Sequence, residues 1–294
     1  MLVAQRLISR ISQIPGARRL WRSLPVGPLE LRARCGISSY PPYLYGVYSA
    51  AKLAKQLGVP AISVIEFGVA GGRGLRALED ISSEVAKDLG IRIAVYGFDS
   101  GEGLPAPRDY RDLPNVWDSG FYKMDQAALQ ASLKCATLIL GDIAQTLPQF
   151  LDSAGSPPVG FVAFDLDYYS STRIALRVFD GPPNLHLPRV YCYFDDIIWP
   201  EYACHNEYIG ELAAIREFNE ESPYRKIAPI HLLRCMLPNR DPWHEQMYAF
   251  HHFTHPQYCT NISPRNAEYS QLPLFESRTP NRRAFANVKS KLSS

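Results

Sequence analysis

The sequence predicts an α/β fold: a doubly wound sheet of about seven strands, mostly parallel with an antiparallel terminal strand, and helices on both faces. Three observations carry this expectation. The runs "AISVIEF", "IRIAVYGF", "GFVAF" and "VYCYF" are apolar throughout instead of alternating, as in strands covered on both faces. Amphipathic helical stretches stand between them. Each run carries an acidic residue at its end, Glu66 one residue before the end of the first and an aspartate directly after each of the others.

Taken in order, "YLYGVYSAAKLAKQLG" reads as a helix with Gly58 as its stop, and "AISVIEFGV" as the first strand. "GRGLRALEDISSEVAKDL" has helical spacing through Leu75, Leu78, Ile81 and Val85, and "IRIAVYGFD" is the second strand. A Pro-rich, aromatic stretch follows from Ser100 to about Tyr122, long for a loop inside one domain and therefore a candidate functional segment. "MDQAALQASLK" is helical, "CATLILGD" a strand, "IAQTLPQFLDSA" helical and "GFVAFDLD" a strand running to Asp167, with Ser170, Ser171 and Thr172 capping the next helix, "STRIALRVFD". "PRVYCYFDDII" is the fifth strand and "YIGELAAIREFNEES" a helix. "RKIAPIHLLR" and "EQMYAFHHF" close the domain as two strands joined by a Pro-rich loop. Residues 41–262 form the core domain by this reading, flanked by a basic helical extension, 1–40, and a basic tail, 263–294.

The formal charge of +2 hides an uneven distribution. Residues 1–34 carry seven arginines against Glu30, and residues 276–294 carry five Lys/Arg against Glu276, so the stretch between is strongly acidic. An acidic body argues against nucleic-acid binding. Val3, Leu7, Ile11 and Ile14 recur at helical spacing beside Arg6 and Arg10. Such a helix can dock on the body or a second subunit, giving a homo-oligomer, or make a peripheral membrane or protein contact. The six cysteines lack C-x-x-C spacing, which fits a reduced, cytoplasmic setting and no zinc site. His251 and His252 with His255 resemble a metal tract, but successive strand residues face opposite sides.

In an open parallel sheet, ligands bind beyond the carboxyl ends of the strands. There the sequence places Glu66 with the glycines Gly68, Gly71, Gly72 and Gly74, then Asp99, Asp142, Asp165 with Asp167, and Asp195 with Asp196. Carboxylates crowded on one edge repel unless a cation sits among them. The glycine spacing departs from G-x-G-x-x-G, and Glu66 would not welcome a pyrophosphate. It suits a ligand with a positive centre and an amino acid moiety, with Asp99 placed for two ribose hydroxyls and Asp142 for an adenine amine. That combination points to S-adenosylmethionine more than to NAD, leaving an NAD-linked oxidoreductase, or a non-catalytic scaffold, as alternatives.

Together "VIEFGVAGGRG", "YGFDSGEGLP", "GFVAFDLDYYSST" and "CYFDD" resemble the class I S-adenosylmethionine-dependent methyltransferases, Rossmann-like enzymes, and within them the macrocin O-methyltransferase-like family. The resemblance covers about residues 43–200. It departs at "NLHLPRV", where family members carry a glycine-rich turn, and in the segment Arg108 to Tyr122. It implies that Glu66, Gly68, Gly72, Asp99, Ser100 and Asp142 hold S-adenosylmethionine and that Asp165, Asp195 and Asp196 hold Mg²⁺. The expected reaction is O-methylation of a small-molecule acceptor hydroxyl, on a sugar or natural product. Hard oxygen ligands with open positions suit Mg²⁺. Asp165, Asp167 and His205 are the candidate bases. The aromatic residues Tyr43, Tyr45, Tyr48, Tyr110, Trp117, Phe121 and Tyr122 are expected to form a lid over the acceptor.

Overall fold

The computed structural model describes residues 14–153 and 155–263. The predicted face through Val3, Leu7 and Ile11, and the tail beyond 263, lie outside the described residues. Two short helices, α1 (Pro15–Ser23) and α2 (Leu29–Cys35), lead into the long α3 (Pro41–Gln56). Then come β1 (Ala61–Phe67), α4 (Arg73–Leu89), β2 (Arg92–Asp99), α5 (Gln126–Ser132), β3 (Thr137–Leu140), α6 (Ile143–Asp152) and β4 (Val159–Phe164). The chain finishes with α7 (Tyr169–Ala175), β5 (His186–Phe194), α8 (Gly210–Glu221), β6 (Arg225–Pro229), α9 (Leu233–Met236) and β7 (Met247–His252).

The seven strands form one sheet in the order β3-β2-β1-β4-β5-β7-β6. β1 to β5 pair in parallel, and β7 is antiparallel to both of its neighbours. The fold is thus Rossmann-like and doubly wound, with the order reversing between β1 and β4, where such sheets open a crevice. One expected boundary moves: the β6 run stops at Pro229, and "IHLLR" turns into α9 instead of extending the strand. No helix among the described residues is long and apolar enough to cross a membrane.

The period of two along each strand sorts side chains between two cores. Ile62, Val64, Phe161 and Ala163 pack under α3 and α4 with Tyr43, Val47, Leu75 and Leu78. Ile65, Phe67, Val162, Phe164 and Phe194 face the opposite layer with Phe179, Phe218 and Phe250. The second core is a run of stacked rings: Phe164 and Phe194 lie 4.6 Å apart between centroids, and Phe179 and Phe250 4.1 Å. Each such ring contributes roughly 2–3 kcal/mol by burial. Gly46 lets α3 seat on β4, since a Cβ there would stand 2.2 Å from the Phe161 ring. The same alternation places Glu66 on the α3/α4 side, ahead of any question of chemistry.

Candidate functional site

The carboxyl edge of the sheet opens into a cleft of about 1260 Å³. Gly68, Asp99, Ser100 and Asp142 line one half, and Asp165, Asp167, Asp195 and Asp196 the other. The strand ladder reaches past the strand ends to hold both halves. The N–H of Asp165 donates to Phe67 O at 2.9 Å, and that of Asp195 to Phe164 O at 2.9 Å.

Asp99 braces the glycine turn. Its Oδ2 accepts the N–H groups of Val69 and Ala70, each at 2.8 Å, and its Oδ1 accepts that of Gly101 at 2.6 Å. At Gly68 the backbone has φ 85°, and an added Cβ would stand 1.7 Å from Asp165 O, so only glycine lets the β1 and β4 loops close together. Gly72 supports the turn from behind at φ 76°, pressed against Leu129, and does not line the cleft. Asp142 caps α6, its Oδ1 accepting the Ala144 N–H at 2.9 Å.

Glu66 lies beneath the cleft wall and is 1% exposed. Its Oε1 accepts the Tyr43 hydroxyl at 2.6 Å, while Oε2 is buried with no partner. Burial pushes its pKa up to about 8; Tyr43 partly offsets this and the charges of Asp99 and Asp195 add to it. An orphaned carboxylate oxygen beside a glycine turn fits a ligand carrying a positive centre.

One carboxylate oxygen each from Asp165, Asp195 and Asp196 lies within 4.8 Å of the others. Hydrogen bonds orient the carboxylates of Asp195 and Asp196. The Tyr193 hydroxyl donates to Asp195 Oδ1, and the Asp167 N–H to Asp196 Oδ2 at 2.8 Å. Glu211, at the start of α8 and fully buried, accepts the Asp196 N–H at 3.2 Å and the Thr172 hydroxyl at 3.4 Å. Burial raises Asp165, Asp196 and Glu211 well above the usual carboxylate range, and mutual repulsion within the group adds to each. Asp167 rises to about 7, from burial first and Asp195 second. No cationic side chain stands among the main influences on any of these four. Three hard oxygens converging without a cation form a donor set that fits Mg²⁺.

Several expectations need correction. The fourth strand stops at Phe164, and Asp167 sits at φ 58°, so it reaches the cluster through a left-handed turn and not by strand alternation. Ser170, Ser171 and Thr172 lie inside the first turn of α7 and do not cap it. That service comes from Asp112 in the long loop, whose buried carboxylate accepts the Ser170 N–H at 2.7 Å and the Arg108 N–H at 2.8 Å. His205 is outside the cleft lining, its Nε2 2.9 Å from Trp199 O. Tyr43 and Tyr48 are buried on α3, and Tyr45 packs on Tyr191 and Trp243, so none of the three is part of a lid. Tyr110 and Phe121 are exposed outside the lining, whereas Trp117 and Tyr122 line the cleft. Tyr122, at φ 64°, has its pKa raised to about 12 by burial and then by Asp167, Asp196 and Asp165. Trp199, Tyr202, Gln246 and Glu211 escaped the sequence reading. Only Glu211 left a signal, an acid in a first helical turn, and that is an ordinary partner for the helix dipole.

No family model matches the chain, and no curated protein matches it. Among solved structures it is similar to CalS11, a calicheamicin methyltransferase, with 20% identity, a TM-score of 0.46, and coverage of 72% of this chain and 79% of that one. An apo structure of CalS11, described as a TDP-rhamnose 3'-O-methyltransferase, aligns with 21% identity and a TM-score of 0.39 over 72% of this chain and 80% of that one. An O-methyltransferase from Bacillus cereus in complex with SAH aligns with 15% identity and a TM-score of 0.33 over 69% and 78%. The functional reading therefore stands on this chain's own cleft, where a braced glycine turn faces an uncompensated carboxylate cluster.

Proposed function

We propose that the chain is an S-adenosylmethionine-dependent, Mg²⁺-assisted O-methyltransferase acting on a hydroxyl of a sugar or small natural-product acceptor. One observation carries the reading. The convergent oxygens of Asp165, Asp195 and Asp196 share a cleft with a glycine turn whose acid, Glu66, has an unpartnered buried oxygen.

The division of labour follows from the two halves. Gly68 and Asp99 shape the cofactor side, with Ser100 and Asp142 further along the same wall. Glu66, protonated near neutrality in the empty cleft, would supply negative charge once a sulfonium or ammonium centre stands beside it. S-Adenosylmethionine, when bound, supplies an already electrophilic methyl group, so the protein's task is mainly to position the acceptor oxygen in line and assist its deprotonation. Asp165, Asp195 and Asp196 would hold Mg²⁺, which lowers the pKa of a hydroxyl bound to it. The Tyr193 hydroxyl and the Asp167 N–H keep the carboxylates of Asp195 and Asp196 aimed, and Glu211 holds the Asp196 backbone. Asp167 lines the cleft with a proton affinity near neutrality and is our choice of base. Trp117, Tyr122, Trp199 and Tyr202 offer ring faces to a sugar or aromatic acceptor.

Calorimetric titration with S-adenosylmethionine tests the reading, and absence of binding at millimolar ligand would reject it. Asp195→Ala and Asp196→Ala should abolish metal-dependent turnover with the fold intact, and unchanged turnover in both would remove the metal role. Asp167→Asn should lower kcat while leaving divalent-ion binding in place.

A further inference from the structure

Two of the three arginines of α1 are tied to the body of the protein, while Arg19 and the apolar side chain of Leu20 are exposed. Arg18 pairs with Asp241, and Arg22 Nε donates to Gly36 O at 2.9 Å. Meanwhile Leu20, Leu24 and Val26 are 65%, 63% and 71% exposed. This inverts the usual arrangement of a helix docked on a core. The helix is fixed by polar contacts and by Trp21, which packs on the small cluster of Leu31, Cys35 and Ile37.

A second, distant segment joins this face. The loop between β6 and β7 is tied to α1 and α2 by the Arg18–Asp241 pair, by Arg34 donating to Met236 O at 3.4 Å, and by Asn239 donating to Cys35 O at 2.7 Å. It adds two more exposed apolar side chains, Leu232 and Met236. Residues 14–36 and 230–241 together contain seven arginines and no lysine, against only Glu30 and Asp241. Both acids are already paired, Glu30 with Lys52 and Asp241 with Arg18, and Arg32 and Arg234 pair with Glu84 and Glu245, which leaves Arg19, Arg22, Arg34 and Arg240 without an ion pair among the described residues. Exposed apolar side chains on two segments tied together, among four arginines without an ion pair, are not needed by the fold and mark a docking surface.

We propose that this face docks on an anionic phospholipid surface. Charge selects that occupant over a second copy of the chain. A two-fold contact would bring the same arginine-rich patch against itself, whereas lipid phosphates accept bidentate arginine bonds while leucine and valine enter the interfacial layer. The orientation adds a consequence. β6 ends and β7 begins at the carboxyl edge of the sheet, and Gln246, at the end of this loop, lines the cleft and donates to Asp195 O at 2.8 Å. A protein seated on this face therefore holds its cleft edge beside the bilayer.

Co-sedimentation of the full-length protein with phosphatidylcholine vesicles, with and without phosphatidylglycerol, tests the proposal. Binding should need phosphatidylglycerol and weaken with added salt. Exposed substitutions leave folding intact, so Arg19→Glu with Arg240→Glu should lower partitioning roughly thirtyfold or more at an unchanged unfolding midpoint. Leu20→Ser with Leu24→Ser should lower it about tenfold. Absence of binding, equal binding to neutral vesicles, or full binding by both double variants would overturn the proposal. So would a dimer in sedimentation velocity that Leu20→Ser with Leu24→Ser dissociates, because the face would then be an interface between copies.

Discussion

Two buried carboxylate regions of this protein behave in opposite ways. Glu79 on α4 is buried, yet its Oε1 accepts the backbone N–H groups of Lys134, Cys135 and Ala136. Burial alone would raise its pKa, but the three donors outweigh that and hold it below the usual range. Asp165, Asp167, Asp196 and Glu211 are displaced the other way, upward, by burial and by one another. A structural carboxylate arrives with donors that satisfy its charge within the fold. The cluster at the sheet edge lacks that compensation, and its charge is left for something that binds.

The contrast can be broken experimentally. The largest effect should come from Glu79→Ala, which leaves three inward N–H groups without their acceptor and should cost about 3 kcal/mol in denaturant unfolding. A near-neutral result would remove the distinction between the two regions. Next, Glu211→Gln should weaken Mg²⁺ or Mn²⁺ binding by ten- to a hundredfold, read by calorimetry or by the Mn²⁺ resonance signal, with the unfolding midpoint little moved.

The pH dependence should be smaller, with a defined sign. Asp167 and Glu66, raised to about 7 and about 8, keep protons in the folded state where the unfolded chain has lost them. Metal-free stability should therefore fall as pH rises from 7.5 to 9, by ~1 kcal/mol. The lowered histidines, His186 and His244 at about 4 among them, oppose this only up to about pH 7.5, because above that the unfolded chain's histidines are neutral as well. Saturating Mg²⁺ should flatten the slope, and a rising metal-free slope would contradict the assignment. The smallest change should be Asp165→Asn, which relieves repulsion and should stabilise the metal-free protein by ~1 kcal/mol while weakening metal binding.

Much of this was legible in the chain. The apolar runs gave six of the seven strands nearly whole, because a strand buried on both faces leaves a local signature. The acid after each parallel strand was equally visible, and the sheet brings Asp165, Asp195 and Asp196 to one point. The lid failed at Tyr43, Tyr45 and Tyr48 because aromatic residues on a helix read alike whether they meet solvent or sheet. Asp167 was misread because the end of a strand is set by its neighbour's ladder and not by its own composition.

By itself, then, the sequence determined the order and type of elements, the glycine turn and the row of acids, since each depends on residues close in the chain. Tertiary structure alone decided which acids lack compensation, that Asp112 caps a helix 58 residues onward, that Glu211 stands behind Asp196, and that α1 is tied through Arg18 to Asp241 with Leu20 left exposed. Each of those depends on a partner brought from a distant segment, and hydrogen bonding, burial and charge compensation are properties of what surrounds a side chain in space.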